Sequence, residues 1–509
     1  MSRAGGAGSA LGEGLAPARS ARPIRRGERI HIVGAAGAGA SAAALLAHAA
    51  GAAVSGCDPG GPSTYTEALE ARGIRILGSH DASHVRPEGT PPVDRLGVTK
   101  ALTAVQPDHP ELVAARAAGV PVEPWQQVVA DAAASQGGRL VAIAGTHGKS
   151  TSSGWLVHVL VTCAADPGAF VGALLPADLT GDLPATARWG RGDAFVVEAD
   201  EYAGNFDPYR PDIAVLLNAE WDHPDVFADR AAVVDTFEAW LRAPGADERT
   251  LVVHVGDRGG RELAERVADQ GTRLITVGPP EEPGAQQPSV RYEGRSGHLR
   301  IDGLPVPGTG APASMEVALR LGGAHNAANA ACVATASVLL GLGASEMASA
   351  LASFEGVARR MDVRGEPQGV LVIDDYAHHP TAIRATIRAL REEHPSRRIW
   401  AVHEPLTYHR AAAMLSELAA ALSEADQVVV ADIWPGRDPD TTITSAGELA
   451  SAVEARSGVP VAAPGSAEAT ADHLSGLVRK GDVVLVMGGG RSYVIAARLV
   501  ALLGSAAPE

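Results

Sequence analysis

Three successive α/β modules are the fold that this 509-residue chain predicts. Three observations carry the expectation. Short runs of β-branched and other apolar residues alternate with Ala/Leu-rich stretches of helical character along most of the chain. The alternation restarts twice, after Gln136-Gly137-Gly138 and again near Met361. Each module also places chemistry-bearing residues directly behind a strand, where doubly wound sheets bind their ligands. At this length a single core would be exceptional, and two to four domains are the prior.

The first module, 28–136, opens on Arg29-Ile30-His31-Ile32-Val33, a buried-strand pattern. Gly34, Gly37 and Gly39 follow, then a helix from Ser41 to Ala50, then a second strand ending at Cys57-Asp58. A glycine turn with an acidic residue after strand two is what a dinucleotide site needs, although the order here is G-x-x-G-x-G rather than G-x-G-x-x-G. Residues 1–27 are rich in Gly, Ala and Arg and lack the apolar segment of a signal peptide. They are expected to form a disordered basic tail on a cytoplasmic protein.

The second module, 137–356, begins with the strand Leu140–Ala144 and the loop Gly145-Thr146-His147-Gly148-Lys149-Ser150, followed by a helix-compatible stretch. A strand that turns through glycines into a helix start presents backbone N–H groups and a positive helix end to a phosphate. Lys149 would add a cation for the β/γ-phosphates, and the Ser150 hydroxyl suits Mg²⁺. The full pattern G-x-x-x-x-G-K-[ST] is not met, because Ile143 stands where its first glycine belongs. Strands are expected at Ala194–Val197, Ile213–Leu217, Leu251–His254 and Leu274–Val277, with hairpins and loops over 279–313. Helices His325–Leu340 and Ser345–Phe354 close the module.

The third module, 357–509, has strands at Val370–Ile373, Ile399–Val402, Val428–Val430 and Val483–Val486, with glycines 488–490 behind the last.

Composition narrows the function. A formal charge of −16, with Lys and Arg concentrated on no one element, argues against a nucleic-acid surface. No apolar stretch is long enough to span a membrane without charge or glycine. Cys57, Cys163 and Cys332 fit no zinc or disulfide spacing and read as buried or half-buried thiols in a reducing compartment.

Three further clusters invite chemistry. Glu198-Ala199-Asp200-Glu201 ends one strand of the middle module, and Asp222-His223 lies just past the next. A carboxylate and an imidazole there would complete a Mg²⁺ shell begun by Ser150, the alternative being solvated loop acids. His325-Asn326-Ala327-Ala328-Asn329 offers two amides one turn apart, able either to cap a helix or to read a polar ligand edge. Asp374-Asp375-Tyr376-Ala377-His378-His379-Pro380 sets two histidines at a proline-started helix, where an anion is welcome.

Taken together these motifs resemble the Mur ligase family, the ATP-dependent amide-bond-forming enzymes of peptidoglycan assembly, from about Arg29 to Leu502. The resemblance implies an N-terminal Rossmann-like domain for a UDP-sugar, a central P-loop ATPase-like domain and a C-terminal Rossmann-like domain. It implies ATP, UDP-N-acetylmuramate and an amino acid as substrates, Mg²⁺ as cofactor, no nucleic acid, no membrane insertion, and a monomer or homodimer.

It also assigns residues. Gly145, Thr146, His147, Gly148, Lys149, Ser150, Asn326, Asn329 and Asp375 would meet ATP, with Ser150, Glu198 and His223 around the metal. Gly34, Gly37, Gly39 and Asp58 would lie near the UDP moiety. Tyr376, His378, His379 and Arg410 would contact the acceptor or substrate, and Lys149, His223 and Arg410 would be catalytic. The alanine-adding branch is the most similar, and Glu201-Tyr202 with Tyr209-Arg210-Pro211 resembles the tripeptide-recycling branch. Departures are Cys57-Asp58 for Ser-Asp, Thr99-Lys100-Ala101 for Ser-Ser-Ala, and Leu406 where the alanine branch carries histidine.

Overall fold

The computed structural model describes residues 11–505 apart from 246–248, 269–271, 284, 296, 309–310, 437 and 439. Each module is built on its own sheet. The first has five strands, all parallel, in the spatial order Arg75–Leu77, Ala53–Cys57, Arg29–Val33, Arg95–Val98, Val122–Pro124. Alternation along Arg29–Val33 divides its side chains between two faces. Ile30 and Ile32 join the core with helices Ala38–Ala49 and Trp125–Gln136, whereas Val33 joins Cys57, Val85 and Leu112 in a separate cluster.

Ten strands form the middle sheet: Ala313–Ala318, His298–Leu304, Val290–Arg295, Arg273–Gly278, Thr250–His254, Ile213–Leu216, Arg139–Ala144, Ala194–Ala199, Gly168–Leu175 and Ala185–Arg188. The interior is parallel, Ala185–Arg188 is antiparallel at one edge, and the antiparallel hairpin pieces stack at the other. These last strands fall where the Pro/Gly-rich stretch 279–313 pointed to hairpins. The third sheet runs Asp362–Gly365, Leu371–Asp375, Val483–Gly488, Ile399–Glu404, Gln427–Ala431, Ala462–Gly465, parallel except at Asp362–Gly365.

Helix starts follow local chemistry. Pro380 opens helix Pro380–Glu393, whose missing N–H costs nothing there, and the His379 ring accepts from Thr381 N. Ile383, Ile387 and Leu390 then bury one face against the third sheet. No described helix is long and apolar enough to cross a membrane.

The expectation of a disordered tail fails for residues 11–27; residues 1–10 lie outside the described residues. Arg19 bonds to Glu123 and Asp131, Arg22 to Glu28, and Ile24 is buried. The arginines of this segment neutralise carboxylates that are themselves shielded from water, which fixes the chain on the first domain. Basic composition was the sign of pairing rather than of disorder.

Candidate functional site

The strand Arg139–Ala144 ends in a loop held open before any ligand arrives. Gly145 and Gly148 take φ of +140° and +81°. A Cβ at Gly148 would meet Asn329 Oδ1 at 2.9 Å, so only glycine fits. Asn218, directly behind the strand Ile213–Leu216, accepts from His147 N at 2.8 Å and donates to His147 O at 3.0 Å. Thr146 Oγ1 donates to Glu220 O and accepts from Glu220 N. The loop delivers into helix Lys149–Thr162, and its geometry is that of an anion cradle.

Lys149 is already paired. Its Nζ donates to Gly145 O at 2.7 Å and to Glu201 Oε2 at 2.9 Å, with Asp200 Oδ1 at 3.6 Å. Burial works against its charge, but Glu201 and Asp200 hold its pKa above the usual lysine range. Glu201, which could have been a solvated loop acid, is buried and serves as its counter-ion. Ser150 Oγ donates to Glu198 Oε1 at 2.9 Å, and Gly172 N donates to Glu198 Oε2. Burial pushes the Glu198 carboxyl up, against Gly172, Lys149 and Arg360.

His223 is not gathered into that pair. Its Nδ1 is 3.2 Å from an Arg410 Nη, its Nε2 lies 3.8 Å from Asp222 Oδ2, and its ring packs on Tyr202. Among the described residues, none of the close His/Cys/Asp/Glu clusters contains Glu198 or His223. Two oxygen donors, Ser150 and Glu198, are therefore what the geometry offers a hard cation, and they fit one: the carboxylate is half-buried, lines the cleft and is bonded to the phosphate-loop serine.

The third domain docks on the loop that follows Asn218. Arg410 Nε donates to Asp222 Oδ1 at 2.8 Å, Thr381 Oγ1 to Glu220 Oε2 at 2.6 Å, and His379 Nε2 lies 3.0 Å from Trp221 O. Arg410 is thus not a free fork; it is buried and already paired. Burial opposes ionisation of Asp222, yet Arg410, His223 and His378 hold its pKa well below the carboxylate range. Burial keeps His378 and His379 neutral, with pKa values lowered to about 3 and about 4.

Asp375, assigned to a nucleotide ribose, spends both oxygens on the backbone: Oδ1 accepts from Ala377 N and Oδ2 from Met361 N. It shapes the turn that presents Tyr376. Asn326 and Asn329 do not cap their helix. Asn326 donates to Gly322 O, and Asn329 stands against Gly148.

In the first domain Gly34 has φ +74°, and Gly37 precedes helix Ala38–Ala49. Asp58 Oδ2 accepts from Ala36 N and Oδ1 from Gly60 N, so it braces the turn. Gly39 does not face a ligand there: a Cβ would strike the Trp125 ring at 2.2 Å, which makes this glycine a helix-packing residue. Gly37 and Asp58, the phosphate loop, and Tyr376 with Leu406 all line one cleft of about 2520 Å³.

Two contributors escaped the sequence reading. Arg360 lies 3.2 Å from Ser150 Oγ and over the Tyr376 ring at 4.6 Å. Asn218 clamps the phosphate loop. Asn218 was findable as a polar residue closing an apolar strand; Arg360 sits in a linker with no local pattern.

Three family models cover the chain in order: "Mur ligase family, catalytic domain" over 29–136, "Mur ligase middle domain" over 143–337, and "Mur ligase, glutamate ligase domain" over 359–490. The UDP-N-acetylmuramate–L-alanine ligase of Acidothermus cellulolyticus is 37% identical over 481 residues, covering 94% of this chain and 95% of the relative. This chain belongs to the Mur ligase family. Such ligases form amide bonds at the expense of ATP, and this Mur ligase is an enzyme of that class. The namesake ligase of Mycobacterium ulcerans is 36% identical with the same coverage of each chain. Among solved structures, the UDP-N-acetylmuramate–alanine ligase of Thermotoga maritima superposes with a TM-score of 0.71 at 24% identity, covering 93% of this chain and 98% of the other. A murein peptide ligase of Psychrobacter arcticus follows at 0.68 and 23%, covering 95% and 100%. At those identities the likeness speaks for the three-domain fold.

Proposed function

We propose that this Mur ligase joins L-alanine to the carboxylate of UDP-N-acetylmuramate in peptidoglycan precursor synthesis, in the cytoplasm. The observation that carries the reading is the single cleft, in which a glycine turn, a phosphate loop and a third-domain docking surface face one another. Curated relatives at 35–37% identity over nearly the whole chain bear the alanine-ligase name, which favours alanine over tripeptide as acceptor.

The sugar's carboxylate oxygen attacks the γ-phosphorus, ADP leaves, and an acyl phosphate forms. The amine of alanine then attacks the acyl carbon, phosphate departs with the carboxylate oxygen, and the amine gives up its proton. Phosphoryl transfer needs mainly positioning and charge neutralisation. The Gly145–Gly148 backbone positions the phosphates. Lys149, held within the loop by Glu201, offers its charge to the β/γ-phosphates, and Arg360 enters from the third domain beside Ser150. Ser150 and Glu198 would hold Mg²⁺, which when bound offsets the phosphate charge. Arg410 gives Nε to Asp222 and one Nη to His223; the rest of its guanidinium is proposed to receive the amino-acid carboxylate.

A phosphate-release assay with ATP, UDP-N-acetylmuramate and a panel of acceptors tests the reading. Release dependent on L-alanine supports it. Release with tripeptide and none with L-alanine would transfer the enzyme to the recycling reaction.

A further inference from the structure

Outside the cleft, the first domain holds a buried cluster of metal-ligand side chains that the ligase chemistry does not use. Cys57 Sγ, Glu111 and the rings of His31 and His84 each offer one atom, all within 4.8 Å of one another. They come from four elements: strand Arg29–Val33, the end of strand Ala53–Cys57, the short turn Ala82–His84 and the first turn of helix Pro110–Ala118. None of the four lines the cleft.

The donors converge in detail. Glu111 Oε1 is 2.6 Å from His84 Nδ1 and 3.1 Å from Cys57 Sγ, and Oε2 is 3.9 Å from His31 Nε2. His31 Nδ1 is fixed by Ser55 Oγ at 2.8 Å, which leaves Nε2, fully buried, aimed at the cluster with no hydrogen-bond partner. A ligating histidine is oriented in the same way, by a partner on its other nitrogen. Glu111 is fully buried, and its ion-pair partners are three histidines, His31, His80 and His84. A carboxylate so placed calls for positive charge.

We propose that Cys57, His31, His84 and Glu111 bind a structural Zn²⁺. Thiolate, imidazole and carboxylate are zinc's ligand types, and a closed four-donor shell away from any cleft is the structural kind. Zinc binds the thiolate, so binding releases the Cys57 thiol proton to solvent. The ion pins the strand end whose carbonyl, Cys57 O, accepts from Gly34 N and Ala35 N. It thereby braces the glycine turn from behind.

The test uses the full chain, purified without a polyhistidine tag and kept in excess Mg²⁺. Elemental analysis should find about one zinc per chain. Co²⁺ added to chelator-stripped protein should give a thiolate charge-transfer band that Cys163→Ser keeps and Cys57→Ser loses. Stripping should lower the thermal midpoint of the wild type, and Zn²⁺ should restore it. Zinc below about a tenth of an equivalent, with no thiolate band in the wild type, would overturn the site and leave a metal-free Glu111–His84 pair. So would a band that survives Cys57→Ser, since the thiolate would then come from another cysteine.

Discussion

The two domain junctions of this ligase are made of different material. Between the first and middle domains one apolar cluster is continuous: Leu46 and Trp125 from one side share it with Phe170 and Phe195 from the other. The Trp125 and Phe170 rings meet edge-on, 5.3 Å apart. Between the middle and third domains the bridges are polar, Arg410–Asp222, Thr381–Glu220 and Arg360–Ser150, with Trp221 adding apolar contact. Buried apolar area resists separation at about 25 cal/mol per Å². Polar bridges exchange for water at little net cost. The first junction therefore holds the Gly34–Gly37 turn and the phosphate loop together more firmly, and the second is the weaker seam.

Lys149→Ala, in the phosphate loop, should have the largest effect. Phosphate release should fall on the order of 10³-fold or more. Because Lys149 is the counter-ion of buried Glu201, the variant should also lose stability, by about 3–5 kcal/mol on denaturant unfolding. Activity within about tenfold of wild type would remove the lysine from the chemistry.

Asp222→Asn attacks the polar junction. It leaves Arg410 buried without its carboxylate and misplaces the third domain, with kcat/KM down about 10²-fold. Phe170→Ala attacks the apolar one. It should cost about 3–5 kcal/mol of stability while kcat/KM well below the melting temperature stays close to wild type. If Phe170→Ala were the more damaging to turnover, the contrast between the junctions would be wrong.

Acid should loosen the second junction selectively. His379 is held near pKa 4 in the docked state against about 6.5 when free. The undocked or unfolded form then binds more protons, so this stabilisation is complete above about pH 6.5 and is lost as pH falls towards 4. Glu220, held at about 2, adds its loss in the same direction below its free value. Small-angle scattering against pH should show expansion over that window with the first two domains still together. Thr381→Val is the gentlest break: one hydrogen bond to Glu220, about 1 kcal/mol, and a rise in KM of roughly fivefold.

What was legible in the sequence follows the same division. Strand-behind-loop patterns exposed the phosphate loop, Glu198 and the His378-His379 turn, because local alternation fixes where strand ends lie. Partners across a junction left no local trace. The family resemblance drew attention to Arg410, but its pairing with Asp222 joins residues far apart in sequence. His223 was placed on a metal for want of knowing that Arg410 would reach it. Cys57 showed no zinc spacing because its neighbours His31, His84 and Glu111 come from separate elements. Arg19 and Arg22 looked like a tail until the buried acids they meet were in view.

The central claim is that the cleft activates the sugar's carboxylate as an acyl phosphate before the amine arrives. UDP-N-acetylmuramate carrying heavy oxygen in that carboxylate tests it most directly. With ATP and L-alanine, mass analysis of the inorganic phosphate released should find one labelled oxygen per turnover. Unlabelled phosphate alongside ligated product would contradict the account.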